Sequence, residues 1–182
     1  MAPQQRVTMP RGSRLARGLA DDERGLRATL VGIIDEHAQL GGLVSDIQAR
    51  LGDRSLIERS GGTLRVMFDL GGVERLTSAG VREWILFMRA LPQPGQYFWD
   101  PGAPVMVRQA NAILGFLGGA RVSSILYPLF CPSCDHEADE PIAIGPGATP
   151  ASIVLPVLAC PRCRADMEAA EEPGQYLGFL DA

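Results

Sequence analysis

Four cysteines carry the most specific chemical signal in this 182-residue chain. They form two C-P-x-C pairs, Cys131-Pro-Ser-Cys134 and Cys160-Pro-Arg-Cys163, separated by 25 residues. Each pair follows an apolar, strand-like run, YPLF before the first and IVLPVLA before the second. Two thiolate pairs presented by two turns can converge on one zinc ion and fill a tetrahedral shell with sulfur. Such a shell leaves no open position for a catalytic water, so the zinc expected here is structural. A redox dithiol needs a single pair at a strand-to-helix junction; two equivalent pairs, both followed by charged residues, argue against it. His136, beside the first pair, is a reserve ligand and otherwise a surface residue.

Residues 128–182 resemble a zinc ribbon, in which each C-P-x-C forms a knuckle at the tip of a β-hairpin. The resemblance implies outer strands at Arg164 to Glu168 and Gln175 to Leu180, with a turn near Glu172-Pro-Gly174. Asp135 and Arg164 stand where ribbons usually carry Gly after the knuckle.

Upstream, the chain is organised around Leu64 to Leu91. Leu64, Val66, Phe68 and Leu70 alternate as a buried strand would, and Gly71-Gly72 reads as a turn. Thr77 or Ser78 then offers a side-chain oxygen to the first free N–H groups of a helix. Val81, Trp84, Ile85, Met88 and Leu91 fall on one face of that helix. Ser78 leads it, and Leu86 projects with Arg82 and Ala90 away from the apolar stripe.

The run Asp69-Leu-Gly-Gly-Val73, a short connector and Thr77-Ser-Ala-Gly-Val81 resembles the STAS domain of bacterial anti-sigma-factor antagonists and of sulfate-transporter tails. The resemblance covers about residues 26 to 125 and is strongest from Leu64 to Trp84. It implies an α/β fold with a mixed sheet, and it puts Ser78 at the phosphoacceptor position, with Thr77 where the family has Asp. Thr77, Arg82 and Leu86 become candidate partner contacts. The implied partner is a regulatory protein, an anti-sigma factor of the serine-kinase type in a partner-switching circuit. A phosphate on Ser78 would be tolerated by a helix N-terminus and would place ~2 negative charges on the contact surface, releasing the partner.

Three regions are expected: a mobile basic arm over 1–25, a STAS-like domain over 26–127 and the ribbon over 128–182. Within the second, Leu26 to Ile34 reads as a strand, and Asp35 as the cap of a helix with apolar face Leu40, Leu43, Val44, Ile47 and Leu51. Pro92 ends the organising helix, Gln96 to Trp99 is a short strand, and Pro104 opens a helix with stripe Met106, Ala110, Ile113, Leu114 and Leu117, ended by Gly118-Gly119. Ser123 to Phe130 is expected as the final strand of the same sheet. The alternation predicts an α/β architecture.

Composition bounds the function. Hydrophobic residues make up 46% and charged residues 21%, and no apolar run reaches membrane-spanning length. No signal-peptide pattern opens the chain, so the cytoplasm is the expected compartment, where four cysteines read as thiols or metal ligands. All 17 positive residues are Arg, which together with abundant Ala, Gly and Pro points to a GC-rich bacterial genome. A net charge of -4 gives no general attraction to nucleic acid. A ribbon binding nucleic acid through Arg162, Arg164 and the arm is the alternative, opposed by the acidic runs His136–Glu140 and Glu168–Glu172. A further alternative is a scaffold or sensor without phosphorylation. No Ser/His/Asp set, carboxylate pair or phosphate loop stands out, so the chain reads as non-enzymatic, with a homo-oligomer compatible.

Overall fold

The computed structural model describes residues 7–181. Two sheets organise the chain. The first has five strands in sequence order: β1 (Leu15–Asp22), β2 (Gly25–Ile34), β3 (Arg65–Leu76), β4 (Gln96–Trp99) and β5 (Arg121–Val122). β1 and β2 form an antiparallel hairpin, and β2 to β5 run parallel, making a mixed sheet. Between the parallel strands lie α1 (Leu40–Ala49), α2 (Arg54–Arg59), α3 (Ser78–Ala90) and α4 (Pro104–Ala112).

Alternation selects the buried side. Leu26, Ala28 and Leu30 of β2 and Val66, Phe68 and Leu70 of β3 join one apolar cluster with residues of all four helices. Trp84 is its pivot, stacked edge-on with Phe68 and Trp99 and donating its indole N–H to the Phe116 carbonyl at 3.1 Å. An aromatic N–H buried in a core usually finds such a partner, although that of Trp99 in the same core has none among the described residues. The intervening residues Arg27, Thr29, Met67, Asp69 and Phe98 lie on the opposite side of the sheet and are half-buried.

The second sheet has three strands, with β6 (Ser124–Phe130) between β7 (Glu137–Ala143) and the two-residue β8 (Glu168–Ala169). It has its own cluster around Ile125, Tyr127, Leu129, Tyr176 and Phe179. Tyr127 and Tyr176 pack edge-on at 4.8 Å. Their hydroxyls donate to the carbonyls of Glu171 and Leu126, fastening the C-terminal residues to β6.

Several expectations change. Of the arm expected over 1–25, residues 1–6 lie outside the described residues, and Leu15–Asp22 is a strand paired along its whole length with β2. Gly71-Gly72 does not turn. β3 passes through both as a bulge, marked by register shifts against β2, because a Cβ on Gly72 would sit 2.8 Å from Val31 and one on Gly71 3.0 Å from Pro101. Asp35 does not cap α1: its carboxylate accepts the His37 N–H, and Gln39, in the left-handed region, precedes the helix. α4 ends at Ala112, so Leu114 is left 96% exposed while Phe116 replaces it in the core. Ser124–Phe130 belongs wholly to the second sheet, and a boundary between 127 and 128 cuts through it. Gln175–Leu180 is not a strand but part of a short helix, α5 (Pro173–Tyr176), and a following 3-10 turn.

Candidate functional site

β6 ends at Phe130 and delivers Cys131 directly into a tight turn. In that turn Cys131 donates its N–H to the His136 carbonyl at 2.8 Å, and Asp135 donates to the Cys131 carbonyl at 2.9 Å. The second turn repeats the pattern: Cys160 donates to Ala165 at 2.8 Å and Arg164 to Cys160 at 2.9 Å. Both close through a left-handed residue, Asp135 at φ 53° and Arg164 at φ 68°. That conformation explains why a ribbon-type knuckle favours Gly there, and the two side chains are accommodated at some backbone cost without disturbing the thiols.

The four sulfurs lie within 4.8 Å of one another. Cys131 and Cys163 approach to 3.4 Å, and Cys134 and Cys160 to 3.6 Å. These are cross-turn contacts, too long for disulfide bonds of ~2.05 Å. A tetrahedral site with metal–sulfur bonds of ~2.3 Å separates its sulfurs by ~3.8 Å, so the cluster has the dimensions of a metal site. Among the described residues the metal-competent group contains these four cysteines and not His136. Cys131 and Cys160 are buried, Cys134 is half-buried and Cys163 faces solvent.

The thiols do not behave alike. Desolvation opposes ionisation of Cys160, but N–H groups of Cys163 and Arg162 and the neighbouring thiols outweigh it and bring the group down to about 6. Desolvation and hydrogen bonding to the other thiols push Cys134 up to about 12, despite an opposing N–H from His136. Cys163 is also raised: the Ala165 N–H lowers it, and hydrogen bonding with Cys131 together with desolvation outweighs that. One negative charge shared among four sulfurs is favourable, and four charges in that space require a cation at the centre.

The second candidate site is the exposed side of α3. Thr77, not Ser78, is the N-cap: its hydroxyl accepts the Gly80 N–H at 3.0 Å. Ser78 is the first helical residue and is exposed. Arg82 and Leu86 follow at four-residue intervals and are exposed too, Leu86 by 46%. Ser78, Arg82 and Leu86 therefore form one row on the outer face of the helix. Gly80 fixes where the row sits. A Cβ there would fall 1.9 Å from the Ile34 carbonyl oxygen, so its absence lets α3 start directly against the end of β2.

Sequence reasoning missed a polar network on the uncovered side of the first sheet. Arg27 bridges Asp22 at 3.1 Å and Asp100 at 3.0 Å, and Ser124 donates to Asp100 at 2.6 Å, tying β6 to the first sheet. Beside it, burial pushes the Asp69 carboxyl above the usual carboxylate range, opposed by an N–H from Gly71. Single polar and charged residues spread from Asp22 to Ser124 leave no local pattern to read. No helix is long and apolar enough to cross a membrane among the described residues. Set against known proteins, the chain matches no family model and no curated protein sequence.

Proposed function

We propose that this chain is a non-enzymatic, intracellular protein-interaction module: a STAS-like domain whose α3 face docks a regulatory partner, with a structural zinc ribbon fixed beside it. The observation that carries the reading is the exposed row Ser78, Arg82 and Leu86 at the leading end of a helix capped by Thr77. A hydroxyl, a cation and an aliphatic side chain in line give a partner helix polar and apolar anchors together. The STAS-like assignment is supported by the hairpin followed by parallel strands, and by Gly80 of the Thr-Ser-Ala-Gly-Val run meeting β2 without a Cβ.

Zinc suits an all-thiolate tetrahedral set, which has no open position and acts by holding two turns together. Four free thiols at this spacing fit a reducing compartment, hence the cytoplasm. In the phosphoswitch form of the proposal, the partner is a serine-kinase anti-sigma factor. Binding of purified serine-kinase anti-sigma factors from the source organism tests it. Wild type and Ser78→Ala should bind equally, Ser78→Asp at least about tenfold more weakly, a difference of ~1.4 kcal/mol. ATP should add one phosphate, mapped to Ser78 by mass spectrometry. Equal binding by all three chains, or no binding by any, refutes the phosphoswitch.

A further inference from the structure

The junction between the two sheets contains a cleft of about 670 Å³. Its apolar wall comes from both units: Phe98, Leu117 and Val122 from the first, Ile144 and Phe179 from the second. That size and lining suit a small organic molecule. Its one charged side chain is a cation. Arg121 lines the cleft, and its guanidinium makes no ion pair or hydrogen bond with any described residue. The Ser123 hydroxyl is likewise free, and the N–H groups of Gly145 and Gly147 give their protons to no other backbone group. No Asp or Glu contributes to the lining, although the chain holds 21 of them.

A second cleft shows the contrast. That space of about 540 Å³, between the start of α4 and β7, is lined by Glu74, Glu137 and Asp139, and its single cation, Arg108, is tied to Glu171 at 2.7 Å. It would repel an anion. In the larger cleft the balance is reversed, and a second cation lies near one lining residue. Phe98 stands opposite Arg121 in the β4–β5 ladder, and the Arg65 guanidinium lies 5.1 Å over the Phe98 ring.

From this geometry we infer that the inter-sheet cleft binds a small amphipathic carboxylate, its apolar body against Phe98 and Phe179 and its carboxylate on Arg121. A planar guanidinium holds a carboxylate through two parallel hydrogen bonds. The site is independent of the α3 face and of the partner proposed for it. An occupant touching both units would stiffen their junction.

Titration of the full-length, metal-loaded chain with octanoate, octylammonium and 1-octanol, followed by amide NMR shifts, tests the inference. Octanoate should bind at least about tenfold more tightly than octylammonium, shifting Arg121, Gly145 and Gly147. Arg121→Gln should weaken octanoate about five- to tenfold and leave 1-octanol unchanged, while Phe179→Ala weakens both. Arg121 is exposed, so its substitution leaves the fold intact, checked by unchanged metal content. Absence of octanoate binding at millimolar concentration, equal affinity for octylammonium, or insensitivity to Arg121→Gln overturns the inference.

Discussion

Thr77 and Ser78 are adjacent hydroxyl residues with separate duties. The Thr77 oxygen satisfies a backbone N–H that the helix cannot pair internally, whereas the Ser78 side chain stands in solvent. Thr77→Ala should cost ~1 kcal/mol, and Ser78→Ala less than about 0.5 kcal/mol, in urea unfolding. The reverse order would mean that Ser78 caps the helix and is not available to a partner. The sequence offered either residue as the cap and could not choose, because N-cap and first-turn preferences overlap. Only the position of the chain leaving β3 decides it. The cysteines are the opposite case. Ligand type, pairing and spacing are all written in the sequence, and the structure brings together the same four residues and no others among those described.

At the scale of elements, what could be read locally was read well. The strand at Leu26–Ile34, the helix with Trp84 and Met88 inward, the Gln96–Trp99 strand and the Pro104 helix start all follow from period and capping chemistry. What failed depended on distant neighbours. Gly71-Gly72 has turn composition, yet its glycines serve close packing against Val31 and Pro101, at least 30 residues away on either side. Ser124–Phe130 has the alternation of a strand, and nothing in alternation says which sheet it joins. The Gln175–Leu180 stretch is different: Glu172 caps and Pro173 opens a short helix there, a local signal the turn reading of Glu172-Pro-Gly174 passed over. Gly80 condenses the dependence on distant neighbours into one atom. Gly80→Ala would drive a methyl group into the Ile34 carbonyl, where backbone rather than a movable side chain must yield. We expect a loss of about 3 kcal/mol or more, measured by chemical denaturation, with α3 displaced from β2. A tolerated Gly80→Ala would refute the close approach.

At the scale of the molecule, two clusters of apolar side chains divide the labour, and the cysteine turns close the far end of the smaller one. Cys131 and Cys160 are themselves members of that smaller cluster, so if the four thiols hold an ion, its removal should withdraw support from that cluster and not from the five-stranded sheet. Metal analysis should return one ion per chain. Chelation, or acidification that protonates the thiolates, should abolish amide-exchange protection at 131–136 and 160–169 and leave β2 and β3 protected. Replacing any one cysteine by Ser should weaken the metal at least about a hundredfold, since a shell worth ~10 kcal/mol or more is divided among four ligands. Unchanged exchange after chelation would show that the sulfurs hold nothing the apolar cluster does not.

The two sheets also differ in charge. Fifteen of the 17 arginines precede the second sheet, while residues 123–182 carry nine Asp and Glu against two Arg. A divalent ion inside four thiolates would leave the cysteine end two units more negative still. Residues 1–122 hold 15 Arg against 12 Asp and Glu, so the negative charge behind the net -4 lies in the second sheet. On a positively charged resin or support the second sheet is therefore the part expected to be drawn to the surface.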